Sequence, residues 1–314
     1  MTRAASVGIV PNPAPGRLTA LAPAKLNVGL WILRRRPDGY HDLLTLFQAV
    51  DLYDRLSVEL RPRGLSLECS DPELPTDDSN LVLRAARALA RATGVRRGAH
   101  FRLEKRIPHG AGLGGGSSDA AAALLLLNRL WRLGLGRAPL ARLGRGVGAD
   151  VPFFLTGGTA LGRGRGDRLT PIQLGSIKDF VILHSSHRIS AKWAYFQYKR
   201  ELTAYDPPPR MQKMAGLARQ VGKFFNRPVN HLEPGVLAHF PDLRQNLMAL
   251  QVLGAVAVSM TGSGSSVFGI FPDRRAASAA AGRLSRAGKP VTLCRTVKHG
   301  VVFTEDVGGP QSTW

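Results

Sequence analysis

Cysteine is scarce: Cys69 and Cys294 are the two present in 314 residues. Thiols so few and so far apart exclude a disulfide framework and a cysteine-based zinc pattern, and a reducing, cytoplasmic setting is expected. Also missing is any apolar run near the ~20 residues that cross a bilayer, so no membrane partner is expected. Before Pro11 there is Arg3 and a short apolar patch, which does not make a secretory h-region. Pro11, Pro13 and Pro15 work against regular structure, so residues 1–17 are expected to form a disordered lead. Acids are few, 22 against 43 lysines and arginines, for a net charge of +21. That excess would suit nucleic acid or another acidic partner. The basic residues are scattered, however, and aromatics are not interleaved with them as a stacking surface requires, so no nucleic-acid partner is expected. A polyanionic small substrate would also gain from such a field. An apolar fraction of 44% is ordinary for a globular protein, and the length suits one large domain or two smaller ones.

Glycine, by contrast, is concentrated where it matters most. The chain is organised around Pro108-His109-Gly110-Ala111-Gly112-Leu113-Gly114-Gly115-Gly116-Ser117-Ser118-Asp119, followed by an alanine and leucine run to Leu127. The run reads as a helix with Ser117 or Ser118 as its cap. The glycines remove side chains from the turn before it, so backbone N–H groups can approach a ligand closely. Together with the helix N-terminus they make an anion site, best suited to phosphate. Flexible glycine–serine linkers rarely run into an apolar helix behind a strand. No acid follows between Asp119 and Asp150, which argues against a dinucleotide-binding oxidoreductase.

In chain order, residues 18–33 read as a strand or strand pair, then 43–50, 55–60 and 65–69 as further strands. Lys25 and Asn27 sit two apart and so share a strand face; they either face solvent or line a site. Tyr40-His41 follows a Pro-Asp-Gly turn and either packs in a loop or holds a ring-shaped ligand. Asp77 to Asn80 is a start signal for a helix over 81–92. Residues 99–107 read as a strand carrying Lys105, and 139–145 as a short helix. Asp150, flanked by small and apolar residues, is either a cap or turn former, or a general base or metal ligand in a dry pocket. The pattern changes near residue 175, where a domain boundary is expected. A helix bearing Trp193, Tyr195 and Tyr198 follows. His184 and His187 lack a third ligand nearby and do not make a metal site. Thr261-Gly262-Ser263-Gly264 links two apolar strands as a hairpin turn.

Taken in order, three motifs resemble one superfamily, the GHMP kinases. They are Pro23-Ala24-Lys25-Leu26-Asn27, the glycine loop of residues 108–120, and Met260-Thr261-Gly262-Ser263-Gly264. Arg36-Pro37-Asp38-Gly39-Tyr40-His41 and Gly148-Ala149-Asp150-Val151-Pro152 resemble, within it, the branch that phosphorylates a cytidine diphosphate-linked methylerythritol at its 2-hydroxyl. The resemblance runs from about residue 21 to 297. It implies an α+β fold of two domains, 18–174 with the ATP loop and 175–314, with the active site in the cleft between them. It implies ATP as co-substrate and Mg2+ beside it, in a cytoplasmic monomer or weak homodimer. Lys25 and Asp150 would be the catalytic pair. Asn27, Tyr40, His41 and Tyr195 would contact the substrate, the last three at its cytosine end. Asn80, Leu81 and Lys105 would lie near the nucleotide of ATP, with Pro108 to Ser118 around its phosphates. Ala191 stands where relatives often carry a threonine, which removes one hydroxyl from the substrate side.

Overall fold

The computed structural model describes residues 17–198 and 217–304, so the expected lead falls almost wholly outside the described residues. Two long strands, β1 (Leu18–Arg35) and β2 (His41–Arg61), form an antiparallel pair that carries the rest. The sequence pattern suggests two separate strands over 43–60. Instead β2 is continuous, because a bulge opposite Pro23 and Ala24 absorbs Asp51 and Leu52 without ending the pairing. β3 (Leu65–Cys69) runs parallel to β4 (Gly98–Glu104), which pairs with β2; β5 (Thr159–Gly164) and β6 (Arg168–Ile172) extend the other arm of β2.

Helices α1 (Leu81–Thr93), α2 (Gly115–Leu130), α3 (Arg137–Val147) and α4 (Val151–Thr156) gather with this sheet around one core. α1 starts where expected, with the Asn80 side chain accepting from the Val82 amide, and ends at Gly94 in the left-handed region. α2 differs at its start. Gly114 (φ 73°) is the N-cap and no side chain caps it, because the glycine run itself turns into the helix; Ser117 and Ser118 lie inside the first turn. Ala120 to Ala123 are all buried. A helix of small residues buried on every side can sit close to the sheet, which brings the loop at its N-terminus against β1.

The second sheet has the order β11-β7-β10-β9, built from β7 (Asp179–Leu183), β9 (Ala257–Met260), β10 (Val267–Phe271) and β11 (Val291–Arg295). Between β7 and β9 come α5 (Ala191–Phe196), α6 (Leu217–Asn226), α7 (Glu233–His239) and α8 (Pro241–Val252); α9 (Arg274–Arg286) lies between β10 and β11. Strands past residue 175 also return to the first sheet: β8 (Val229–Asn230) pairs with β1 in parallel, and β12 (Val302–Thr304) pairs with it antiparallel. These two short strands and α7 carry no sequence pattern long enough to announce them. Trp31, Phe180, Phe225 and Phe268 fill a core that unites residues of both sheets. No helix of the described residues is long and apolar enough to cross a membrane.

Candidate active site

Lys25 and Asn27 are brought to one point by strand alternation on β1, between two irregularities in its pairing with β2. Both are buried, which resolves their face as a lined site and not a solvated one. Lys25 Nζ donates to Asn27 Oδ1 (2.5 Å) and to the Gly112 carbonyl (2.6 Å), and lies 3.9 Å from Asp150 Oδ2. Asp150 occupies the N-cap position of α4 yet makes no side-chain cap bond. Its carboxylate is 31% exposed, against 4% for the lysine side chain. Burial pulls the Lys25 ammonium below the usual lysine range, and the Asp150 charge opposes that shift.

Two glycine turns close on this pair. The Lys25 amide donates to the Leu113 carbonyl, and the Ser266 amide to that of Ala111. A Cβ at Gly112 (φ +77°) would stand 2.1 Å from the Thr261 carbonyl oxygen, so only glycine permits this approach. Thr261 Oγ1 donates to the Gly112 carbonyl and accepts from the Asn27 amide. Asn27 Nδ2 in turn donates to Thr45 Oγ1, whose hydroxyl is passed on to the Gly29 carbonyl. Asn230 Nδ2 donates to the carbonyls of Met260 and Gly262, fixing the second turn from below.

Lys25, Asn27, Asp150, Gly112, Gly114 and Ser117 line one cavity of about 1260 Å³. Tyr40, His41, Ala191 and Tyr195 line the same cavity. His41 and Tyr195 are stacked, with centroids 5.1 Å apart and planes 13° from parallel. Tyr40 is exposed, and the Arg165 guanidinium lies over its ring at 4.6 Å. Burial, and then Arg35, hold the His41 imidazole below its usual range. Burial, and then Asp150, push the Tyr195 phenol above its usual range. The aromatic group and the lysine–aspartate pair thus sense one another across a single space.

Asn80, Leu81 and Lys105 do not line this cavity. A Cβ on Gly116 would touch Leu81 Cδ1, and one on Gly115 would touch Lys105 Nζ. The Lys105 ammonium is held between Asp54 Oδ2 (2.5 Å) and Asp119 Oδ2 (3.0 Å). Asp54 Oδ1 also accepts from the amides of Arg106 and Ile107. Burial works against the charge on Lys105, but Asp119 and Asp54 outweigh it and raise the ammonium. Burial raises the Asp119 carboxyl, to about 8, with Lys105 opposing and Asp54 adding to the shift. His109 Nδ1 stands 3.4 Å from Asp71 Oδ2. His184 bonds to Ser266 and Thr292 and His187 to Asp242, each a separate local contact.

Three participants escape a reading of the sequence. Thr45 looks like an ordinary strand residue, and Arg165 sits in a stretch that reads as turns. Asp54 stands between Asp51 and Arg55, so nothing sets it apart. Thr261 belongs to the third motif, but its bonds to Gly112 and Asn27 depend on the fold.

A glycine loop at a helix N-terminus, facing a buried lysine beside a carboxylate, is the equipment of a phosphotransferase. Residues 80–158 match the family model of the GHMP kinases N terminal domain, and residues 196–290 that of the GHMP kinases C terminal region. A homoserine kinase from Cytophaga hutchinsonii shares the fold, with a TM-score of 0.72 at 19% identity over 95% of this chain and 100% of its own. The class is therefore that of the GHMP kinases. Closer relatives include the 4-diphosphocytidyl-2-C-methyl-D-erythritol kinases of Salinibacter ruber and Gloeobacter violaceus. The first is 43% identical over 82% of this chain and 92% of its own; the second is 39% identical over 90% and 96%. A crystal structure of 4-(cytidine 5'-diphospho)-2C-methyl-D-erythritol kinase is 37% identical, with a TM-score of 0.75 over 88% of this chain and 98% of its own. The chain belongs to the 4-diphosphocytidyl-2-C-methyl-D-erythritol kinase family.

Proposed function

We propose that this enzyme transfers the γ-phosphoryl group of ATP to the 2-hydroxyl of 4-diphosphocytidyl-2-C-methyl-D-erythritol, giving the 2-phosphate and ADP in the non-mevalonate route to isoprenoid precursors. One observation carries the reading: Lys25 and Asp150 meet in the cavity that has the glycine loop on one side and the His41–Tyr195 rings on the other. The loop amides from Gly110 to Ser118 cradle the phosphates of ATP, with Pro108 and His109 leading into them and Asn80, Leu81 and Lys105 behind. His41 and Tyr195 separate to admit the cytosine, with Tyr40 at the rim and Asn27 nearer the sugar alcohol.

Phosphoryl transfer depends on in-line positioning and charge neutralisation more than on covalent chemistry. Asp150 accepts the proton of the attacking hydroxyl as the O–P bond forms. Lys25 stabilises negative charge on the transferring group. The Gly112 carbonyl and Asn27 Oδ1 hold the ammonium in place, so it needs no reorganisation during the step. Mg2+ fits the donor set in its chemistry. Mg2+ usually keeps several waters and is held by one or two side chains together with substrate phosphates. Ser117 supplies a hard oxygen donor to the cavity. The ion would offset charge on the phosphates. The enzyme acts in the cytoplasm as a monomer or weak homodimer.

A coupled ADP-release assay with Mg-ATP tests the proposal. ADP should form with the cytidine-linked substrate and not with homoserine or mevalonate. Absence of ADP from folded enzyme with the cytidine-linked substrate overturns it.

A further inference from the structure

Helices α1 and α3 pack in one core and carry arginines without a single acid: Arg84, Arg87 and Arg91 on α1, Arg137, Arg142 and Arg145 on α3. The three on α1 fall at i, i+3 and i+7, on one face, where like charges weaken a helix. Arg137 opens α3 at the end where the macrodipole disfavours a cation. These charges do not serve the helices that carry them.

Beside that face is a second cavity, of about 810 Å³, which shares no lining residue with the substrate cavity. Arg84, Arg87, Arg91 and Arg142 line it, with Asp78 as the sole acid in its wall. Asp78 pairs with an Arg87 terminal nitrogen, while Arg87 Nε is buried without a partner. Arg91 donates only to the Arg87 carbonyl. The Arg84 and Arg142 side chains have no hydrogen bond or ion pair among the described residues. Guanidinium groups stay charged at any working pH, so the concavity holds an excess of three positive charges.

We propose that this cavity is a second anion site, separate from the ATP loop, that takes a compact linear oligophosphate. Arg84, Arg87, Arg91 and Arg142 are its binding residues, since the planar fork of arginine matches adjacent phosphate oxygens. No aromatic side chain lines the cavity, so unpaired bases have nothing to stack on and single-stranded nucleic acid is disfavoured. A duplex needs a row of contacts along its backbone, whereas these arginines converge on one concavity.

The test uses the full chain with the ATP loop saturated by a non-hydrolysable ATP analogue and excess Mg2+. Inorganic tripolyphosphate is then titrated calorimetrically. One further tripolyphosphate should bind per chain, more weakly as salt rises. Arg84→Gln with Arg142→Gln should weaken it at least about tenfold, as loss of two charge-assisted contacts requires. Asp78→Asn should tighten it about threefold by removing the competing acid. Turnover of the cytidine-linked substrate should be unchanged in the paired glutamine variant and its thermal midpoint no lower than the parent's, because both arginine side chains are exposed and unpartnered. No binding once the ATP loop is filled overturns the proposal, as does equal affinity in the glutamine variant. Tighter binding of a mixed-sequence RNA than of tripolyphosphate, abolished by the same variant, also overturns it and assigns the face to nucleic acid. If the paired variant does not fold, Asp78→Asn alone decides: affinity that fails to rise overturns the site.

Discussion

Replacing Asp150 by asparagine keeps the shape of the side chain and removes one negative charge beside a buried ammonium. Effects on the acceptor proton, on ATP affinity and on Lys25 separate cleanly. The first concerns the proton of the acceptor hydroxyl, which asparagine cannot take; a general base contributes roughly 10²–10⁴-fold, so kcat should fall by about that factor. The affinity for ATP should change by less than about threefold, because the loop amides that hold its phosphates are backbone groups untouched by the change. The third concerns Lys25. At 3.9 Å and an effective dielectric of about 20, a unit pair attracts by about 4 kcal/mol. Solvent reaches 31% of the Asp150 side chain, so the usable part is about 1–3 kcal/mol. Burial already depresses the Lys25 pKa, and without Asp150 it falls further. A base whose folded pKa lies below its unfolded value costs stability while it must stay protonated, and that cost fades as pH rises through the folded pKa. The variant should therefore melt below the parent at neutral pH and recover part of the difference as pH rises. ADP-release kinetics, nucleotide titration and melting curves from pH 7 to about 10 read all three effects. Turnover within about threefold of the parent would remove Asp150 from the proton path. A variant that melts higher at neutral pH would show that Asp150 does not support a charged Lys25.

Gly112→Ala places a methyl group 2.1 Å from the Thr261 carbonyl at a φ of +77°; it should cost about 3 kcal/mol or more, read as a lowered denaturant midpoint together with a raised KM for ATP. Tyr195→Ala removes the ring stacked on His41; base–aromatic stacking of about 1–3 kcal/mol predicts a KM for the cytidine-linked substrate raised about 10- to 100-fold, and an unchanged KM would displace the rings from base recognition. The Asp119 carboxyl is raised to about 8, so the folded state binds more protons than the unfolded chain from about pH 4 to 8, and stability falls as pH rises through that window. Asp119→Asn should flatten that fall, measured by urea unfolding across pH; an unchanged pH slope refutes the assignment.

The local chemistry was legible because it depends on short spacings. Lys25 and Asn27 share a strand face at i and i+2, Asn80 is a cap in front of an apolar period, and the glycine run turns straight into an apolar helix. Each is decided by backbone geometry within a few residues, so the sequence by itself determined the elements and the anion loop. It could not determine the start of α2, since serine capping and a glycine-led first turn compete within half a kilocalorie or so. Nor could it tell one β2 strand from two, because a bulge leaves no periodic mark. What only the tertiary structure decided is everything that depends on long-range approach. Gly112 meets Thr261, Lys25 meets Asp150, His41 meets Tyr195, and Lys105 is clamped between Asp54 and Asp119. β8 and β12 come back to β1 through two and three residues of pairing, too short to be foretold. Those contacts set burial, and burial sets which charges are costly and which are held ready; no local pattern carries that information.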